Sequence, residues 1–334
     1  MVPESPVLVC GATGFVGRAL TLELVRNGVA TRVLTRRAGH ARRLFPNTVG
    51  CVEGDLVEGS GVEEAVEGVA VAYYLVHSMG AREPDSEFGK ADRRAATHFA
   101  EAARDSGVGR IIYVGGLGDD APTTSPHLSS RREVGQILAA SAVPVTQLRA
   151  GIVVGARGSS FEMMAQLVER LPVMICPRWI DSRCQPIALK DLVRYLLECR
   201  LEDRTRGRTF DVGGPDLLPY SEMLLRVGAA MGRRPLLVVV PRFTPGLSAH
   251  WVGYITDVPS ELARPIIDGM YAEAICHENA IRALLPGPLC GFDRALHIAL
   301  EARKREDPLR HPIGGHPVRP WEGQVLRLGR FPPR

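Results

Sequence analysis

Short apolar runs alternate with stretches of helical spacing through the first half of the chain. Residues 7–9 read as a buried strand, and 18–26 carry apolar positions at helical spacing up to Asn27-Gly28, a C-terminal stop signal. Further strands are expected at 30–35, 48–53, 69–76, 109–114 and 143–148, and helices at 61–67, 88–106 and 131–141. The run 69–76 is apolar nearly throughout, as a parallel strand covered on both faces should be. Regular alternation of strand and helix predicts an α/β fold with a doubly wound parallel sheet.

The second half is less regular. Residues 159–171 form an amphipathic helix through Phe161, Met164, Leu167, Val168 and Leu171. Helices are expected at 187–199 and 220–231, with strands at 207–212, added to the main sheet, and at 235–240. Residues 241–300 read as helical, interrupted by Pro245, Pro259, Pro265 and Pro286. Within them 247–255 is apolar and aromatic, which suits a membrane, a second subunit or packing against its own lobe. From Asp307 the chain is rich in Pro, Gly and Arg without periodicity, as in an extended tail. The expected organisation is a Rossmann domain over 1–154, a smaller, mostly helical substrate lobe over 155–306 that interleaves with late sheet strands, and a tail over 307–334.

Three glycines carry the first chemical signal. Gly11, Gly14 and Gly17 lie between the first strand and first helix, the layout that sets a pyrophosphate at a helix N-terminus. Their spacing is GxxGxxG rather than the commoner GxGxxG. Gly11 allows the tight turn, Gly14 lets the backbone approach phosphates, and Gly17 lets helix pack on strand. The expected cofactor set in this bend is Gly11, Thr13, Gly14, Phe15, Val16 and Gly17.

At the end of the second strand, where an NAD site carries an acid for the ribose 2′-hydroxyl, the chain has Arg36 and Arg37. Guanidinium forks match phosphate geometry, so NADP(H) is expected over NAD(H). Asp55 after the third strand suits an adenine amino group or a turn, with Leu56 beside it. Leu75, Val76 and His77 end the fourth strand, where ligands of open α/β sheets bind, and His77 suits the nicotinamide ribose or a structural place in a turn. Met163, with Met164 and Met174, suits a plastic apolar wall or, for any one of them, core filling. Arg178, Trp179, Arg183 and Gln185 suit a substrate with an apolar ring and a polar or anionic tail, or packing between lobes.

Composition excludes some alternatives. The 334 residues are 45% hydrophobic and 23% charged with net charge +4, and the arginines are scattered, so no nucleic-acid partner is expected. No apolar run reaches membrane-spanning length. The N-terminus lacks a basic leader segment, and seven dispersed cysteines contain no CxxC. The chain therefore reads as cytoplasmic, with reduced thiols and no metal site.

Several stretches together resemble the extended or atypical branch of the short-chain dehydrogenase/reductase superfamily. They are Gly-Ala-Thr-Gly-Phe-Val-Gly at 11–17, Gly54-Asp55-Leu56, 107–114, Leu148-Arg149 and 210–215. The chain is similar in particular to a bacterial NmrA-like, NAD(P)-binding group, through 72–79, 131–135, 171–174, 185–187 and 251–253. The resemblance spans about 5–285 and implies a Rossmann fold, a nicotinamide cofactor and a small-molecule substrate; a homo-oligomer is left open.

Short-chain reductases use a Tyr-xxx-Lys pair and a Ser after the fifth strand. Here the Ser position is Gly115 or Gly116, and alignment on the following Glu133-Val-Gly puts Arg131 at the Lys position and His127 at the Tyr position. A histidine serves as a general acid near neutral pH, and an arginine holds ribose hydroxyls without shuttling protons. A purely structural role for both stays open. Three functions follow: an NADP(H)-dependent oxidoreductase acting on a small, largely apolar substrate, a non-catalytic NADP-binding redox sensor, and a sugar-nucleotide epimerase or dehydratase. The missing Tyr-Lys pair disfavours the third, which begins by oxidising a hydroxyl.

Overall fold

Successive tyrosines on one strand show how the central sheet is built. In a strand, neighbouring side chains point to opposite faces. On β4 (Val71–Tyr74), the Tyr73 hydroxyl donates to the Leu196 carbonyl oxygen at 3.1 Å, in α7 (Leu189–Leu201). Tyr74 meets Phe99 of α4 (Glu87–Asp105) on the other face, with ring centroids 5.0 Å apart. Both faces of the sheet are therefore covered by helices, as its apolar strands require.

The computed structural model describes residues 5–76, 87–118, 126–240, 256, 273–306 and 325–327. The chain divides into two compact units, 1–150 with 189–212 and 276–288, and 151–188 with 213–275 and 289–334.

In the first unit, β1 (Val7–Cys10), β2 (Thr31–Thr35), β3 (Gly50–Glu53), β4, β5 (Arg110–Gly116), β6 (Val145–Ala150) and β11 (Thr209–Val212) form one sheet. Its order is β3-β2-β1-β4-β5-β6-β11, and every pair is parallel. The order reverses between β1 and β4, which opens a crevice beyond their carboxyl ends. The helices are α1 (Phe15–Arg26), α2 (Ala38–Leu44), α3 (Val62–Val66), α4, α5 (Pro126–Ala139), α7 and α9 (Ala280–Leu284). The expected strand at 207–212 does join this sheet, beside β6. Its open edge is covered by side chains. Asp211 accepts from Arg149 and from the His277 backbone N–H, and Glu278 accepts from the Asp211 N–H at 2.7 Å. A carboxylate thus takes the place of a further strand.

In the second unit, β8 (Val173–Pro177), β13 (Leu236–Val240) and β14 (Val325–Arg327) form a parallel sheet in the order β14-β13-β8. Short pairs join β7 (Val153–Val154) to β10 (Ile187–Ala188) and β9 (Arg183–Cys184) to β12 (Leu218–Pro219). The unit's α-helices among the described residues are α6 (Ser159–Arg170), α8 (Tyr220–Ala230) and α10 (Phe292–Glu306). The buried Arg303 of α10 binds Glu162 at 2.9 Å and Glu169 at 2.7 Å, both on α6. The sequence signal for β8 was hidden, because its apolar residues fall on both faces and cancel the period-two pattern.

Candidate functional site

β1 ends at Cys10, whose carbonyl oxygen accepts from the Leu75 N–H beyond β4 at 3.0 Å. Gly11 then turns the chain with φ +83°, and a side chain there would begin 2.6 Å from the Leu75 carbonyl oxygen. A Cβ on Gly17 would run into the Gly11 carbonyl oxygen. Two of the three glycines are thus consumed by close packing. Gly14 is different. Among the described residues a Cβ there meets only the Gly11 carbonyl oxygen, at 3.2 Å, and Gly14 itself is exposed.

Gly14 is the N-cap of α1, with no side-chain cap, and the first turn of α1 has no acid. The N–H groups of Phe15, Val16 and Gly17 lack intrahelical acceptors and face that opening with the positive end of the helix dipole. Thr13 is exposed beside them, and Phe15 and Val16 are half-buried. The arrangement, at the topological switch point, is of the kind that suits an anion. Cys10 beneath it is fully buried, and burial pushes its thiol up, so no thiolate competes there.

The neighbouring strand ends carry the rest of the rim. Arg36 and Arg37 follow β2, both exposed, and among the described residues neither guanidinium forms an ion pair. Helix α2, unforeseen in the sequence, starts directly after them. Its first N–H, on Ala38, donates to Glu53 Oε2 at 2.9 Å, so a carboxylate from the end of β3 fixes the start of α2 behind the arginine pair. Asp55 Oδ1 accepts from the Val57 N–H at 2.8 Å, which makes it a turn residue whose second oxygen carries no bond among the described residues. The Leu56 side chain lies in the core. Leu75 and Val76 are half-buried at the end of β4, while His77 lies outside the described residues.

Beyond β5 the two glycines at the serine position are crowded. A Cβ on Gly115 would lie 2.7 Å from Gln147 Nε2, and one on Gly116 would run into Leu128 Cδ2. Arg131 reaches over this strand end from α5. Its Nη1 stands 3.5 Å from the Val114 carbonyl oxygen, its own carbonyl accepts from the Tyr113 hydroxyl at 2.8 Å, and its Nε is buried with no hydrogen-bond partner among the described residues. An orphaned guanidinium N–H is costly unless a ligand meets it. Two contacts fix α5 on α4: Ser130 Oγ donates to Asp92 Oδ2 at 3.1 Å, and Arg93 pairs with Glu133 at 2.9 Å. His127 falls in the first turn of α5, but its side chain lies outside the described residues.

Residues 11–165, which include the glycine bend, match a family model described as NAD(P)H-binding. The chain carries an NAD(P)H-binding Rossmann domain. It is 27% identical over 266 residues to a ceramide reductase of Caulobacter vibrioides, covering 79% of this chain and 81% of that one. It is 26% identical to the chloroplastic divinyl chlorophyllide a 8-vinyl-reductase of Oryza sativa, covering 71% of this chain and 62% of that protein. Its fold is shared with a Citrobacter triphenylmethane reductase solved with NADP(H), at TM-score 0.70 and 16% identity, over 88% of this chain and 99% of that one. These likenesses place the chain among NAD(P)-dependent oxidoreductases with homologues in the atypical short-chain, NmrA-like group.

The NAD(P)H-binding domain holds the cofactor candidates, and the second unit holds those for substrate. Met163 is buried in α6 and Arg178 is exposed. The Trp179 side chain lies outside the described residues, as do residues 251–253. Arg183 is engaged by Glu273 through two contacts at 2.7 and 3.2 Å, and Gln185 Nε2 donates to the Gly214 carbonyl oxygen at 2.8 Å. Within the unit these two side chains hold the backbone around β9, which charge and aromaticity in the sequence did not reveal.

Proposed function

We propose that the chain is an NADP(H)-dependent oxidoreductase acting on a largely apolar organic substrate without the usual Ser/Tyr/Lys set. The observation that carries it is the uncapped α1 N-terminus, open at Gly14 and set at the switch point of the sheet. The bend binds the diphosphate through backbone N–H groups. Arg36 and Arg37 grip the 2′-phosphate, and the orphaned Arg131 Nε with its guanidinium holds ribose hydroxyls. When bound, the reduced nicotinamide supplies hydride to an electrophilic substrate carbon. His127, in the first turn of α5, donates the proton that completes reduction.

Ceramide and divinyl chlorophyllide a, the compounds in the relatives' names, are both largely apolar with a few polar groups, which supports that substrate class. Free thiols at all seven cysteines suit a reducing compartment, and we place the protein in the cytoplasm.

A second reading draws on Gly115 and Gly116 at the serine position, where a Cβ would require the ends of the Gln147 and Leu128 side chains to move. It makes the chain a sensor that binds NADP(H) without turnover. Following NADPH absorbance with a panel of long-chain ketones and conjugated enones separates the two. Substrate-dependent NADPH loss, reduced at least about 10-fold in His127→Ala, supports the oxidoreductase; tight NADPH binding with no loss across the panel supports the sensor.

A further inference from the structure

Two adjacent strands of the second unit's sheet are introduced by arginine and proline: Arg170-Leu-Pro172 precedes β8 and Arg233-Arg234-Pro235 precedes β13. The strands are parallel and in register, Val173 beside Leu236 and Ile175 beside Val238. Their introductions therefore lie at the same end of the sheet. Side chains alternate between two faces. Met174, Cys176, Leu237 and Val239 are buried on one. Val173 and Ile175 are 47% and 48% exposed on the other, and Leu236, Val238 and Val240 beside them are only half-buried.

This is an unusual surface. Parallel sheets occur almost only with both faces covered, because their strands are apolar on both sides. Here, among the described residues, the outer face is aliphatic, with Val173 and Ile175 exposed on it. Arg170, Arg233 and Arg234 are exposed at one end of it, and Arg178 is exposed at the end of β8.

We infer that this face docks on an anionic phospholipid surface. Aliphatic side chains enter the acyl boundary while the arginines meet lipid phosphates. Two features argue against a second copy of the chain. A two-fold interface sets a patch against itself, and with its axis along the strands it would set one arginine rim on the other. The β8 edge is blunted by Pro172 and Pro177, which cannot donate to a further strand. Among the described residues of β8 and β13 the apolar side chains on this face are Val, Ile and Leu. Docking would be peripheral, since among the described residues no helix is long and apolar enough to cross a membrane. It would bring the enzyme to the phase in which apolar compounds dissolve.

Vesicle flotation of the full chain tests this without any use of turnover, so its outcome is separate from that of the cofactor and substrate reading. The probes are vesicles of phosphatidylcholine alone and of phosphatidylcholine mixed with phosphatidylglycerol. The wild type is expected to float with the mixed vesicles only, and less so at high salt. Val173→Asp/Ile175→Asp should abolish flotation. Arg233→Gln/Arg234→Gln, which leaves the apolar face intact, should weaken partitioning about 25-fold, at about fivefold per arginine. Thermal melting checks the fold of both variants, and the glutamine pair decides the matter should the aspartate pair misfold. Equal binding to neutral vesicles, or no flotation at all, overturns the inference. So does a dimer in light scattering that the aspartate pair dissociates while no vesicle is bound.

Discussion

The carbonyl oxygen of Leu75 stands 2.6 Å from where a side chain on Gly11 would begin. That approach joins the end of β4 to the glycine bend after β1, at the crevice where the strand order reverses. A methyl group at Gly11 would have to push the strand end away and would also strain a backbone at φ +83°.

Gly28 separates these two effects. It has φ +71° with no heavy atom within 4 Å of a Cβ. Gly28→Ala is expected to cost about 1 kcal/mol, from strain alone. Gly11→Ala should cost at least about 3 kcal/mol, by adding a backbone collision to the strain. It should also remove NADPH binding. Urea unfolding and calorimetry of both variants check the difference; equal losses would mean that the Leu75 contact is not limiting.

Arg131 is expected to act on cofactor rather than on folding alone. Arg131→Met keeps the aliphatic stem and removes the orphaned N–H. NADPH affinity should fall about 10- to 100-fold, as for loss of charge-assisted bonds, with little change in melting temperature. Arg131→Lys should recover part of the affinity. Unchanged affinity in the methionine variant would make this arginine structural.

Acid stability offers a test away from the site. Glu202 caps a short turn, and its bonds from the Arg204 side chain and backbone N–H hold its carboxyl down at about 2, against an ordinary 4.5. A carboxyl with a lowered value in the folded state stabilises above its unfolded value, and that contribution is lost as pH falls through the folded one. The advantage of wild type over Glu202→Gln in thermal melts should therefore be full above about pH 4.5 and shrink towards pH 2. A pH-independent difference would remove the capping explanation.

How much of this could be read from the sequence depends on how far apart the interacting residues are. The bend and the alternation behind the parallel sheet are local, and both were legible, as was the position of Arg36 and Arg37 at the end of β2. Helix α2 was not, because it has seven residues and its N-terminus is satisfied by Glu53 from the next strand. The turn role of Asp55 had been an even alternative to adenine binding, and only the Val57 bond showed which its first oxygen serves. The partners of Arg183 and Gln185, Glu273 and Gly214, are likewise long-range, so composition around Trp179, which suited ligand contacts or packing between lobes, did not show these pairings.

Calorimetric titration of NADPH and NADH into the wild type, Arg36→Ala and Arg37→Ala tests the central claim most directly. NADPH should bind the wild type more tightly than NADH. Each substitution should weaken NADPH about 10-fold, as for one lost charge-assisted phosphate contact, and leave NADH unchanged. Equal affinity for the two coenzymes in all three proteins would contradict the account.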